Sequence, residues 1–471
     1  MHHTAIDRLV ESLAGAVAVE NGRLAVVKAE ALPARMDGLI REAVFGDPET
    51  KAAARWIIGE AAQALGVRPA SIHGLYMAMG RGQIGRWFTV PAMNLRVMAY
   101  DSARAVFRAA KAIEAGAFIF EIARSEMGYT DQRPSEYVAA VLAAALREGF
   151  RGPVFIQGDH FQVSAKKYAA APEPEVQAVR DLIVESIAAG FYNIDIDTST
   201  LVDLDKPGLD EQQRLNYGLC ADFAGFIRSH EPAGVTVSVG GEIGEVGQKN
   251  STPEDLDAFM AGFQARNAGR TGISKISIQT GTSHGGVVLA DGSLAQVKID
   301  FETLRTVSER ARRAYGMGGA VQHGASTLPD SAFHKFVEAK TCEVHLATAF
   351  QTLILDHPAV PAGLKSEIVE WVKIHAADER KAKDSEAQFI YKARKKAVGP
   401  FKEKFWSLPE DVRAAIGADL ERTFAFLFGQ LAIAGTAKDV AAHVEAPEIR
   451  KPLPGEGIQA AMKEDVSGLA D

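Results

Sequence analysis

Cysteine is nearly absent from this chain of 471 residues: only Cys220 and Cys342 occur, too few for a disulfide framework or a thiolate metal cluster. Both read as small apolar core residues in a reducing, cytoplasmic compartment. No apolar run approaches the roughly 20 residues that a membrane-spanning helix needs, so no membrane partner is expected. The opening stretch MHHTAIDRLVESLAGAVAV reads as an amphipathic helix with acids and Arg8 rather than as a secretory signal. Positive charge is not in excess. The 52 Lys and Arg against 60 Asp and Glu leave a formal charge of −8, which argues against a general nucleic-acid binder. No Gly-x-Gly-x-x-Gly turn follows an early strand, so a doubly wound dinucleotide-binding sheet lacks its fingerprint.

What the chain does have is apolar residues, 47% of the total, in an alternating texture. Residues 1–86 show apolar spacing near 3.6 in IDRLVESLAGAVA, PARMDGLIREAVF and KAAARWIIGEAAQAL, and predict a helical extension outside any sheet. From residue 87 to 355, eight β-like runs alternate with helical patterns: 88–94, 117–123, 153–158, 192–197, 235–240, 275–281, 319–324 and 342–348. Such alternation implies parallel strands with right-handed crossovers. Eight is the number that closes a (β/α)8 TIM barrel. Residues 356–471 read as a C-terminal helical extension, whose basic run Tyr391-Lys392-Ala393-Arg394-Lys395-Lys396 is best explained as a solvated helix face.

Three histidines each follow a strand candidate: His160 in Gly158-Asp159-His160, His284 in Ser283-His284-Gly285-Gly286, and His323 in Gln322-His323-Gly324-Ala325-Ser326. Carboxyl ends of barrel strands converge on one face. Residues far apart in sequence can therefore meet there as ligands of one metal, and three protein ligands with an open position is the pattern of a catalytic zinc. Gly285, Gly324 and Ser326 suit a backbone cradle for a phosphate.

These motifs, in this order, resemble the class II, metal-dependent fructose-bisphosphate aldolase family over about residues 88–355. The likeness runs through AMNLRVMAYDSARAVFRAAKAIEAGAFIFEI, Gly158-Asp159-His160, Asp197-Thr198-Ser199, Glu242-Ile243-Gly244, Ser283-His284-Gly285, Lys298-Ile299-Asp300-Phe301 and His323-Gly324-Ala325-Ser326. The resemblance implies a Zn2+ ion, or another divalent metal, on His160, His284 and His323, with Glu242 near an alternative metal position and a monovalent cation as a further expectation. It implies that the ion polarises a ketone and stabilises an enediolate, and that Asp159 exchanges a proton with the oxygen of the carbon being cleaved. A loop glutamate would move the carbon-bound proton; Glu211 is the best counterpart, with Asp203 and Asp205 as rivals. Asn94, Gly285, Gly324, Ser326, His345, Thr348 and Arg380 would bind a sugar phosphate or related ketose, with Arg394 the rival of Arg380 for the distal anion. The extra helices suggest a homo-oligomer.

One departure stands out. The family's Asn-x-Asp-Thr on the eighth strand reads here His345-Leu346-Ala347-Thr348. The methyl group of Ala347 cannot replace a carboxylate that accepts a hydroxyl, so the donor substrate is expected to differ from dihydroxyacetone phosphate. Three other readings stay open: a fructose-1,6-bisphosphate aldolase proper, a non-catalytic accessory subunit of an aldolase complex, and a Schiff-base aldolase. The last would need a barrel lysine, and Lys275, at the start of its strand, reads as a solvent-facing edge charge.

Overall fold

The computed structural model describes residues 4–244, 249–281, 289, 299–455, 466 and 469. Eight parallel strands form the barrel: β1 (Val90–Asn94), β2 (Ile119–Ala123), β3 (Gly152–Gln162), β4 (Asn193–Asp197), β5 (Ser238–Glu242), β6 (Lys275–Ser277), β7 (Ala320–Gln322) and β8 (Glu343–Leu346). Each pairs with the next, and β8 pairs with β1, as in His345 opposite Ala92, so the sheet closes into a (β/α)8 TIM barrel. Helices cover the outside of the barrel and side chains fill the inside. Every residue of β1, β2 and β4 is accordingly buried.

The N-terminal segment differs from the expectation of helices alone. It contains an antiparallel hairpin, Val17–Glu20 against Arg23–Val26, and a strand, Val67–Ala70, that pairs in parallel with the start of β3, from Val67 opposite Gly152 to Ala70 opposite Phe155. This strand is short and contains Pro69, so it left little period-2 pattern to read. It occupies the edge of β3 that β4 leaves bare, because β4 begins pairing only at Gln157. The helix that follows, His73–Gly80, brings Tyr76 into full burial. The C-terminal segment also packs on the barrel: Phe428, in the helix Glu410–Gln430, stacks on Phe118 with ring centroids 5.9 Å apart.

One local irregularity shapes the barrel mouth. Between Gly158 and Phe161, β3 gains a residue relative to β4, and His160 takes φ 42°, in the left-handed region. Neighbouring residues on a regular strand face opposite sides of the sheet. A bulge re-aims them, and here Asp159 and His160 reach each other, with Oδ1 3.6 Å from Nε2. The bulge folds Phe161 back over Gly158, where an added Cβ would lie 2.2 Å from the ring. Phe161 is fully buried and cannot yield. Gly158→Ala should therefore destabilise the fold by about 1–3 kcal/mol, as overpacked cores do. Denaturant melts check this, and an unchanged midpoint would show that the bulge tolerates a side chain.

Candidate active site

Asp159, His160 and His323 meet at the carboxyl ends of β3 and β7. Their ligand atoms lie within 4.8 Å of one another, and all three residues are buried. The His160 and His323 ring centroids are 4.3 Å apart. His160 Nδ1 faces Asp197 Oδ2 at 3.3 Å and Glu242 Oε2 at 3.6 Å. A carboxylate at one ring nitrogen orients an imidazole whose other nitrogen ligates a metal. Asp197 is itself held by Gln162 Nε2 at 2.6 Å and by the Ser199 hydroxyl at 2.6 Å. His323 Nε2 lies 2.9 Å from Ser277 Oγ. Two imidazoles with adjacent carboxylates, and no thiolate among them, form a donor set that fits zinc or a similar divalent ion. His284 and Gly285 lie outside the described residues.

Asp159 also faces the inner side of the cluster. Its Oδ2 accepts from Asn94 Nδ2 at 3.0 Å, and its Oδ1 lies 3.2 Å from His345 Nδ1. Asn94 donates as well to Glu126, which binds the buried Arg96. Burial alone would raise the Asp159 carboxyl, but the charges of His160 and His345 outweigh it and hold the group well below the ordinary carboxylate range. Glu242 behaves oppositely: burial first, then the neighbouring Asp197 carboxylate, pushes it up to about 8.

Beneath this layer lies a second polar group that the sequence reading did not assemble. His345 sits between carboxyl groups: Nδ1 is 3.2 Å from Glu121 Oε2, and Nε2 is 2.6 Å from Glu343 Oε1. Its ring centroid is 4.1 Å from that of His323. Lys275 is not the solvent-facing edge charge expected of it. It is 1% exposed and ion-paired inside the barrel with Asp195, at 2.9 Å, and with Glu343. Its position at the strand start placed it low in the barrel, and its side chain runs inward rather than out. Burial would lower the Lys275 ammonium, but Asp195 and Glu343 raise it above its ordinary value. A lysine held charged in this way is a poor Schiff-base nucleophile. The same pairing pulls Glu343, against its burial, down to about 2, whereas burial lifts Asp195 to about 6. Among the described residues, Asp195 Oδ1 and Glu121 Oε1 have no hydrogen-bond partner. The signal for this layer was a charge within or at the start of a strand buried on both faces: Glu121 and Asp195 within theirs, Lys275 and Glu343 at the start of theirs. Such strands otherwise run apolar.

The remaining expected site residues fall elsewhere. Gly324 has φ 68° at the turn after β7. Ser326 Oγ accepts from the Ala347 N–H at 2.7 Å, beside the start of the helix Thr348–Asp356. Glu211 is exposed in the first turn of the helix Leu209–Arg228, and among the described residues no contact joins it to the cluster. Asp203 and Asp205 lie in the turn before that helix, where Asp203 Oδ1 accepts from the Asp205 N–H at 3.1 Å. Arg380 is exposed and lies 5.7 Å from the centre of the Phe389 ring. Its rival Arg394 is tied to Asp356 at 2.6 and 3.0 Å.

A closed parallel barrel with acids and imidazoles gathered at its carboxyl end defines the architecture of a barrel enzyme. The chain belongs to the class II fructose-bisphosphate aldolase family, whose model matches residues 85–405. It is similar to the D-tagatose-1,6-bisphosphate aldolase subunit GatY of Klebsiella oxytoca, at 32% identity over 119 residues, 24% of this chain; the match spans only 38% of that relative's length. Among solved structures, it resembles a probable tagatose 6 phosphate kinase from Sinorhizobium meliloti 1021, with TM-score 0.51 and 16% identity over 75% of this chain and 99% of that one. A putative fructose-1,6-bisphosphate aldolase from Coccidioides immitis matches with TM-score 0.45 and 16% identity over 77% of this chain and 96% of that one.

The ligand set has a direct test. His160→Ala and His323→Ala, purified as the full chain and analysed for bound metal, should each lose most of the divalent metal found with the wild type. If both variants keep a full complement, these imidazoles are not ligands.

Proposed function

We propose that the chain is a zinc-dependent aldolase that reversibly cleaves a phosphorylated ketose or a related sugar. The observation that carries this reading is the Asp159 carboxyl, set at the bulge of β3 between His160 and His323 on one side and Asn94 and His345 on the other. His160, His284 and His323 would hold the ion, with Glu242 beside His160. When bound, a divalent ion supplies Lewis-acid polarisation of a ketone and stabilises the negative charge beside it.

The protein's own part is acid–base chemistry and positioning. In cleavage, Asp159 takes the proton of the hydroxyl next to the scissile carbon–carbon bond. The oxygen's electron pair becomes the new aldehyde C=O, and the pair from the broken bond stays on the ketone-bearing fragment. In condensation, Asp159 returns the proton to the new hydroxyl. At neutral pH the group is a carboxylate, the form that can accept this proton. Asn94 and His345 fix its direction. Gly324, Ser326 and Thr348 support an anionic group with backbone N–H donors near the helix start. A homo-oligomer in the cytoplasm is the setting we propose. No described helix is long and apolar enough to cross a membrane.

Ala347 sets the specificity apart. It carries no acceptor, and its N–H is turned to Ser326. A site without the partner for a donor hydroxyl discriminates against a substrate that needs one. Fructose 1,6-bisphosphate should therefore be a poorer substrate than some other ketose. Steady-state kinetics over a panel of phosphorylated ketoses with added zinc, scored by released aldehyde, checks this. Fructose 1,6-bisphosphate ranking first would overturn the specificity argument. In the same assay, Asp159→Asn should retain metal and lose on the order of 10²–10⁴ in turnover. Near-normal turnover would reduce Asp159 to a group that orients its neighbours. A wild type that holds metal yet cleaves nothing would favour an accessory subunit.

A further inference from the structure

Tyr76 lies outside the stretch that the family model matches, which begins at residue 85. Its hydroxyl nonetheless reaches the barrel interior and donates to Glu343 Oε2. The other oxygen of Glu343 accepts from Lys275 Nζ and, at 2.9 Å, from Gln157 Nε2, and it faces His345 Nε2 at 2.6 Å. Both oxygens are thus engaged, and all four partners are buried. The opposite ring nitrogen of His345 faces Asp159. A continuous file therefore runs from the N-terminal extension to the carboxyl assigned to acid–base chemistry: Tyr76, Glu343, His345, Asp159.

We infer that Tyr76 and Lys275 are positioning residues for the proton transfer at Asp159, acting through Glu343 and His345. The inference rests on the proposed role of Asp159. The physical argument is one of degrees of freedom. A carboxylate with one oxygen unengaged can rotate about its last bond, and an imidazole leaning on it follows. Tyr76 pins the oxygen that Lys275 and Gln157 do not reach, so the plane of Glu343 is fixed and the His345 ring is fixed with it. Asp159 is then held at Oδ1 by His345 and at Oδ2 by Asn94. Groups that orient an active-site imidazole from behind matter to turnover without touching substrate. A purely structural role for Tyr76, completing the bonding of a buried glutamate, would leave catalysis unchanged in any variant that folds.

The test uses the full-length, metal-loaded protein. Tyr76→Phe removes the hydroxyl and keeps the ring; Lys275→Met is the second, harsher variant. Thermal midpoint and metal content serve as controls. The readouts are kcat and KM on the best ketose of the panel, and the His345 ring-nitrogen resonances, assigned by their loss in His345→Asn. For Tyr76→Phe we expect unchanged metal content, KM within about twofold, a fall in kcat of about 10- to 100-fold, and displaced His345 resonances. A folded Tyr76→Phe protein with wild-type kcat, or with unmoved His345 resonances, overturns the inference. If the wild type cleaves no ketose, the functional reading fails separately, and the His345 resonances still decide the positioning: displaced they support it, unmoved they overturn it. Should Lys275→Met fail to fold, Tyr76→Phe alone carries the decision.

Discussion

The interior of this barrel is governed by the cost of burying charge. Glu121, Asp159, Asp195 and Glu343 share its floor and mouth, and each is 6% exposed or less. Isolated buried carboxylates are prohibitively expensive, and they persist only when paired or neutralised. Lys275 pairs with Asp195 and Glu343, and His345 faces Glu121, Asp159 and Glu343, while burial raises the carboxyls of Glu121 and Asp195 above their ordinary range. The rest of the site follows from that balance. His345 has its direction because carboxyl groups stand at both ring nitrogens, and its charge helps hold the Asp159 carboxyl below the ordinary range. Even Gly240 fits the constraint, since an added Cβ there would lie 2.3 Å from Asp195 Oδ1.

Most of the barrel was legible in the sequence because its signals were local. Eight apolar runs separated by helical patterns specify parallel strands, and each run overlaps an observed strand. The strand Val67–Ala70 was not legible. Four residues with a proline carry almost no periodicity, and they form a strand only because β3 is longer than its neighbour β4 and offers them an edge. That is tertiary context overriding local pattern.

Legibility of the site divides along the same line. Asp159, His160 and His323 stand within a residue or two of a glycine toward the carboxyl ends of their strands, where motif and position coincide. Glu121 stands inside its strand and Lys275 and Glu343 at the start of theirs, and only their charge marked them. Lys275 shows the hazard of reading a lysine by its height along a strand. Height placed it low in the barrel, but whether it points in or out depends on partners, and Asp195 and Glu343 come from other strands. Glu211 shows the converse: an acidic pair opening a helix is also what helix electrostatics favours at any N-terminus, so the motif alone does not bring it to the cluster.

The two departures, His345 on β8 and Ala347 just after it, belong together. Replacing a family asparagine by His345 puts a longer group on the inward face of the strand, able to span from Glu343 to Asp159. Replacing the family aspartate by Ala347 removes an acceptor two residues on. With the carboxylate retained, a further negative charge would join a cluster that already holds Asp159, Asp195, Glu121 and Glu343 against two cationic groups. Without it, no further carboxylate is added to those that Lys275 and His345 already face. An alanine at position 347 is thus compatible with the acids buried at Glu121 and Glu343.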